Sequence, residues 1–473
     1  LLPLLLLTGT ALATMLADLF TEGPDREGLG WVGLCGLVIT AVTTAFLWNQ
    51  QITTLAGALT LDRYTIFFTL LFCVMTGLTL LFSMSYLEQT EVRTGDYYTL
   101  VLFATAGMAL MAAATDLIVI FLALEVMSIA VYALAGITRS QEQSNEAALK
   151  YFLLGAFASC FLLFGIALVF GATGSTLLGE IATRAGTLEG EPALLMAGGI
   201  ALLLVGFGFK VAAVPFHVWT PDVYEGAPTS VTALMAVGVK AAGFAAFARV
   251  FLSTFGPLLG EYKDLLWVLA VATMTVGNVT AVVQRNIKRM LAYSSIAHAG
   301  YLLVGIVVGG AAAGTALLFY LCAYGLMTLG AFAVIAAVGR SGSPNENLGD
   351  YAGLGFRSPY LGLAMSIFML SMAGIPPLGG FVGKFYLFSA AIESGYVWLA
   401  VLGVINSLIS VYYYAGVLVQ MYMAEGGAPV EDPRSRPYLF VTILTSLVGI
   451  ILLGIFPSAI YDLAYASFGS LVR

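Results

Sequence analysis

Fourteen times along the chain an apolar stretch runs for close to twenty residues or more, and about twenty apolar residues are what an α-helix needs to cross the hydrocarbon core of a bilayer. The stretches are approximately 1–20, 30–48, 64–85, 97–114, 116–138, 150–173, 193–219, 229–253, 265–284, 291–310, 313–339, 358–391, 397–423 and 438–460. That core holds no water to satisfy open backbone, so each stretch must be helical, or be closed by its neighbours where it is broken. The expected fold is an all-α polytopic membrane protein of about fourteen transmembrane helices. Only 10% of the 473 residues are charged, against about 25% in soluble domains. The net charge of −7 comes from few residues, and no basic patch suits nucleic acid. The first run is too long and unbroken to favour a cleaved signal peptide.

Two stretches are overlong and interrupted. The seventh carries Lys210, then Pro215, and leaves through His217, Trp219 and Pro221-Asp222. The twelfth carries Pro376-Pro377, Gly379 and Gly380, then Lys384. Proline removes a helix hydrogen bond and frees a carbonyl. A titratable amine beside a discontinuous helix is the expected construction of an ion path. The breaks lie five spans apart, which suggests two five-helix repeats, spans 4–8 and 9–13. Five is odd, so the second copy is inverted in the membrane. The expected organisation is a three-helix segment over 1–96, a first repeat over 97–253, an inverted repeat over 264–423 and a C-terminal helix within 424–473.

The basic residues assign the sides. Loops after odd spans hold Arg26, Arg93, Arg139, Lys150, Arg285, Lys288, Arg289, Arg340, Arg357, Arg434 and Arg436. The opposite side holds Arg63, Arg184, Lys263 and Arg473, with Arg249 near it. By the positive-inside rule the first group is cytoplasmic and both termini face outward. The run Arg285–Arg289 is read as a topology determinant.

Lys210, Lys240 and Lys384 remain, all inside apolar spans, with Glu125 in the middle of the fifth. A lysine near the bilayer centre costs roughly 3 kcal/mol on insertion scales, so such residues are functional candidates. Glu125 and Lys210 are the natural pair. Burial penalises an ammonium and a nearby carboxylate opposes that penalty, so moving the carboxylate away favours proton release. The alternatives are a static buried salt bridge, or a snorkelling lysine at a kink. Lys240 has no evident acidic partner and small neighbours that admit close packing or water. His298, with Ser294, Ser295 and Tyr301 nearby, can accept and donate a proton. Lys384 is the candidate terminal donor. His217, Asp222 and Glu225 lie at the cytoplasmic mouth, as entry groups or as ordinary loop residues. Tyr412, Tyr413 and Tyr414 read as packing aromatics.

Cys35, Cys73, Cys160 and Cys322 are isolated in apolar runs without metal-ligand or iron–sulfur spacing, and read as buried small hydrophobes. With only two histidines and no Gly-rich nucleotide fingerprint, the chain is expected to hold no metal and no cofactor.

These segments resemble the antiporter-like membrane subunits of respiratory complex I over nearly the whole chain. Lys210-x4-Pro215-x3-Trp219-x-Pro221-Asp222 is shared by several branches of that family. Its continuation Val223-Tyr224-Glu225-Gly226-Ala227-Pro228 is similar to the N branch, supported by Asn286 to Tyr301 and Met372 to Phe385. Lys384 agrees, since the M branch has glutamate there, and no long amphipathic extension of the L type follows. The resemblance implies that Glu125, Lys210, Lys240 and Lys384 match the family's proposed proton-path residues. It implies an enzyme complex, a proton-pumping NADH–quinone oxidoreductase, of which this chain is one subunit in a bacterial inner membrane. NADH, flavin, iron–sulfur clusters and quinone would belong to partner subunits. The neighbouring M-type and small membrane subunits would be direct partners, along with the lipid bilayer, protons and water. The expected path runs from Glu125–Lys210 through Lys240 and His298 to Lys384. Two rivals stay open: the large subunit of a multi-subunit cation/proton antiporter, and a structural spacer whose charges only hold helices together.

Overall fold

The structure, a computed structural model, describes residues 1–21, 27–87, 92, 94–339, 345–427, 430 and 435–471. Arg26, Arg93, Arg340, Arg434 and Arg473, which entered the sidedness argument, lie outside the described residues.

Among the described residues, thirteen helices are long and apolar enough to cross a membrane. They are Leu2–Phe20, Glu27–Phe46, Arg63–Leu87, Gly95–Ala113, Leu117–Ala135, Glu142–Thr173, Glu191–Val211, Thr229–Thr254, Gly256–Ala281, Ile287–Val308, Gly310–Val338, Val397–Met423 and Pro437–Ile455. The missing member is the interrupted twelfth span, built from Pro359–Ala373 and Gly379–Glu393. The chain is thus a multi-pass helical membrane protein with the expected succession of spans.

Burial sorts the spans into a centre and a rim. The apolar window of the eighth span is 100% buried, the eleventh 94% and the tenth 89%, whereas the first is 22% and the sixth and thirteenth are 33%. Lys240 and His298 sit on the eighth and tenth spans, in the protein centre rather than against lipid. The eighth span is rich in alanine, glycine and valine, so its neighbours approach closely. A Cβ on Gly243 would come to 3.2 Å from Val211 Cγ1 and 3.6 Å from Lys210 Cβ. The same span contains two π-turns, Met235–Val239 immediately before Lys240 and Arg249–Thr254. Single π-turns inside helices are frequent at functional sites.

Several elements depart from the expected outline. The sixth helix starts at Glu142 rather than 150, because 142–150 is polar but helix-forming, and its first turns project beyond the bilayer core. The last span ends at Ile455, not 460. Pro457 cannot continue the ladder, and a further helix, Ser458–Leu471, turns Ala464, Ser467, Phe468 and Leu471 inward. A hairpin pairs Ile52–Thr54 with Leu59–Leu61, Ile52 opposite Leu61. The cysteines are free, but Cys35 and Cys160 are exposed rather than buried, since those positions fall on outward faces of rim helices.

Arg249 is buried. Its guanidinium is 4% exposed and donates to both Asp62 oxygens at 3.0 and 3.1 Å, to Thr65 Oγ1 and to the Ala112 carbonyl. This fork ties the third and fourth spans to the eighth. A charge buried this deeply needs such a full set of partners.

Candidate functional site

The seventh helix stops at Val211. Ala212 turns left-handed at φ 62°, and Pro215 then prevents the helix from resuming. The break is closed by protein. Trp219 Nε1 donates to the Phe209 carbonyl at 3.1 Å, Ala213 N to Gly208 O at 2.8 Å and Val214 N to Thr273 Oγ1 at 2.9 Å. Lys210 lies in the last turn, where the helix dipole favours a cation. It is 3% exposed. Its Nζ donates to Ser128 Oγ at 2.7 Å and more weakly to Tyr132 OH at 3.5 Å. Three ring faces surround it, Tyr132 at 5.3 Å, Tyr151 at 5.6 Å and Phe209 at 5.8 Å. Such faces attract a desolvated cation.

Glu125 makes no direct ion pair with Lys210. Its Oε1 accepts from Ser159 Oγ at 2.5 Å, while its charge still reaches the ammonium electrostatically. The static buried salt bridge is therefore not what this structure contains. Glu125 is half-buried, flanked by the exposed Leu122, Val126 and Ile129 of the same helix. It faces outward on one side and towards Lys210 on the other.

In the centre, Lys240 Nζ donates to the Ser295 carbonyl at 2.6 Å and to Ser295 Oγ at 2.5 Å, and Tyr324 OH donates to the same Oγ at 2.9 Å. One turn further along the tenth span His298 bridges two phenols. Nδ1 pairs with Tyr320 OH at 2.6 Å and Nε2 with Tyr414 OH at 3.1 Å. The Ser294 hydroxyl bonds Tyr414. The His298 ring also meets Tyr324 and Tyr301, centroids 5.1 and 5.7 Å away.

Lys384 stands on the far side of Tyr301, 4.7 Å from its ring centroid. The first half of the twelfth span ends at Gly374, φ 88°, whose missing Cβ leaves room for the lysine stem; a Cβ there would come to 3.2 Å from Lys384 Cδ. The ammonium donates to the freed carbonyls of Met372 and Ala373 at 2.8 and 3.3 Å and to Ser407 Oγ at 2.8 Å. Both breaks contain a cis X–Pro bond, Val214-Pro215 and Pro376-Pro377.

The mouth beside the first break is an ion network. Asp222 pairs with Lys150 at 2.7 Å and with Arg289 at 2.8 Å, and Arg289 also reaches Glu225 at 2.8 Å. A cavity of about 240 Å³ opens between them and Glu146. Partial burial works against the Asp222 carboxylate, but the hydrogen bonds from Lys150 and Arg289 outweigh it and hold it below the usual carboxylate value. His217 Nδ1 is buried and finds no partner among the described residues. The run Arg285–Arg289 also makes packing contacts. Lys288, 2% exposed, donates to the Ala227 carbonyl and pairs with Glu346 at 3.0 Å, so the run clamps the broken seventh span to the tenth.

Lys240 and His298 share the Tyr324 ring as a neighbour, and His298 and Lys384 share the Tyr301 ring. No hydrogen bond joins Lys210 to Lys240 among the described residues. Sequence reasoning named Ser294, Ser295 and Tyr301 but missed the other hydroxyls. Ser128 and Tyr132 lie three and seven residues after Glu125 on one helical face, a signal that was available. Tyr320, Tyr324 and Ser407 gave no local signal. Tyr414 is a histidine partner rather than packing, Tyr413 bonds Asn278, and only Tyr412 is exposed, at 70%.

Two broken helices around a buried row of lysines define an antiporter-like membrane subunit. The family model described as NADH:quinone oxidoreductase/Mrp antiporter, TM matches residues 114–410, and the chain belongs to that family. NADH-quinone oxidoreductase subunit N of Trichlorobacter lovleyi is 48% identical over 462 residues, 98% of this chain and 95% of that one. A chain of respiratory complex I from Thermus thermophilus, solved with bound aureothin, superposes with a TM-score of 0.82 at 37% identity, over 98% of this chain and 99% of that chain. A chain of the Mrp complex from Dietzia sp. shares the fold, with a TM-score of 0.83 at 23% identity over 100% and 96% of the two chains.

Proposed function

We propose that this chain is a proton-translocating membrane-arm subunit of an NADH–quinone oxidoreductase, and that Glu125, Lys210, Lys240, His298 and Lys384 carry the proton. The observation that supports it most is that every one of these side chains, except the half-exposed Glu125, is buried and meets hydroxyls, carbonyls or rings instead of a fixed counter-ion. A buried ammonium without a carboxylate against it is poised to lose its proton when its surroundings change.

The geometry supports the following sequence of steps. A neighbouring membrane subunit covers the outward side of Glu125 and shifts its charge relative to Lys210. Without that charge Lys210 releases its proton, and water carries it to Lys240 past the small side chains around Gly243. From Lys240 the hydroxyls of Ser295 and Tyr324 lead to His298, whose two nitrogens face different phenols. Beyond Tyr301 the proton reaches Lys384 at the second break. The mouth at Asp222, Glu225 and His217 supplies protons from the cytoplasm, with both termini outward and the repeats 97–253 and 264–423 as inverted halves of the path. NADH oxidation and quinone reduction, with their flavin and iron–sulfur clusters, take place in partner subunits. The location is the bacterial inner membrane.

The deciding experiment uses the assembled complex in sealed vesicles, comparing quinone reduction with proton uptake for wild type and Lys210→Ala after assembly is checked. Loss of pumping is expected. Full pumping at full turnover would leave the break as architecture alone. Proton-coupled sodium exchange that does not require quinone reduction would favour a cation/proton antiporter.

A further inference from the structure

Away from the lysine row, the third, eleventh and fourteenth spans and the terminal helix Ser458–Leu471 enclose an apolar crevice of about 730 Å³. We propose that it holds an acyl chain of one anionic phospholipid, whose phosphate is bound by Arg63.

The volume falls in the range of roughly 300–1,000 Å³ typical of small-molecule sites. Its floor is buried, with Phe67, Leu71, Met75 and Leu453 each less than 10% exposed, and its rim, Val74 and Phe456, is open. No charged side chain lines it, and an apolar hollow is not filled by water. Gly449 contributes to the space, since a Cβ there would come to 2.8 Å from Leu326 Cδ1.

The polar end is set by the membrane boundary. The second span ends at Phe46, the third begins at Arg63 and the fourteenth ends at Ile455, and all three ends meet at the same face, where Tyr64 N donates to Ser470 Oγ of the terminal helix. Trp48 lines the crevice at this level, as aromatic residues do at bilayer interfaces. Arg63 sits over the Trp48 ring, 5.9 Å from its centroid, and donates to Asn49 Oδ1 at 3.1 Å. Among the described residues no carboxylate pairs with it. One turn on, Phe67 enters the crevice. An unpaired, half-buried guanidinium at headgroup level above a chain-sized apolar slot fits a phosphate and the acyl chain attached to it.

The test uses the whole complex in phosphatidylcholine vesicles with a trace of phosphatidylglycerol bearing a photoactivatable group on one acyl chain. Cross-linked peptides are mapped by mass spectrometry, with the exposed Phe157 and Phe164 of the sixth span as the reference surface. Labelling concentrated on 70–75 and 452–456 is expected, about fivefold stronger than with equally labelled phosphatidylcholine, the worth of one basic residue at an anionic lipid surface. Arg63→Gln brings the two lipids to parity. Should that variant fail to assemble, competition in wild type decides, with unlabelled phosphatidylglycerol displacing the probe and phosphatidylcholine not. Labelling no stronger than at the sixth span, equal labelling by both lipids, or displacement by a quinone analogue instead of phosphatidylglycerol would each overturn the assignment.

Discussion

The two broken spans place a lysine in two different chemical settings. At the first, Lys210 precedes the break, the turn is made by a left-handed alanine, and the ammonium meets only side chains: Ser128, the Tyr132, Tyr151 and Phe209 rings, and Glu125 at longer range. At the second, Lys384 follows the break, the turn is made by Gly374, and the ammonium rests on the main-chain carbonyls of Met372 and Ala373 with Ser407 beside them. Side chains can move and change charge, whereas carbonyls at a helix end keep their dipole. In the proposed relay the first site is therefore the one tuned by a neighbour, and the second accepts a proton against a fixed background.

The largest expected effect tests both sites at once. Lys210→Met and Lys384→Met each reduce proton pumping by at least about tenfold in assembled complex, the equivalent of 1.4 kcal/mol at the transfer step. They differ in coupling: adding Glu125→Gln changes nothing further with Lys210→Met, but deepens the defect with Lys384→Met. A double-mutant cycle on pumping rates reads this directly, and equal coupling at the two lysines would remove the distinction.

Smaller effects sharpen it. Ser128→Ala deletes the strongest hydrogen bond Lys210 makes and should slow pumping about fivefold, while Ser407→Ala leaves two carbonyls on Lys384 and should slow it about twofold, following a typical loss near 1 kcal/mol per hydrogen bond. Steady-state proton uptake in vesicles measures both, and a reversed order would mean that the backbone does not hold the second site.

The smallest effect concerns the mouth. Asp222 has its folded carboxyl value depressed by Lys150 and Arg289, so its contribution to stability is present above the ordinary carboxylate value, about 3.9, and is lost as pH falls through the lower folded value. The thermal midpoint of the complex should drop slightly for Asp222→Asn at neutral pH, and this gap should close only in strong acid. A gap that is constant with pH would show that the ion pairs add nothing there. No counterpart is expected at the second break, whose lysine has no acid partner.

Most of the fold was legible in the chain because a bilayer leaves few choices. Twenty apolar residues read as a span, and Pro215 and Pro376-Pro377 read as breaks. The errors fell where that rule stops applying: the polar start of the sixth helix, the helix after Pro457 and the short hairpin all lie at or beyond the boundary. The site was legible as charges but not as partners. Lys210, Lys240 and Lys384 stand out because each is costly in apolar sequence, whereas a tyrosine such as Tyr320 or Tyr414 looks the same whether it packs or bonds His298.

The sequence by itself determined the number of spans, the two breaks, the three lysines inside spans and the family, since each follows from local composition or from motifs such as Lys210 to Pro228. Only the tertiary structure decided which groups those charges touch. It placed Ser159 rather than Lys210 against Glu125, carbonyls rather than acids against Lys384, and Asp62 against Arg249, residues separated by up to 187 positions. The physical reason is that helix formation is local, while satisfying a buried polar group depends on whichever helices pack beside it, and that is settled only when all the spans have come together.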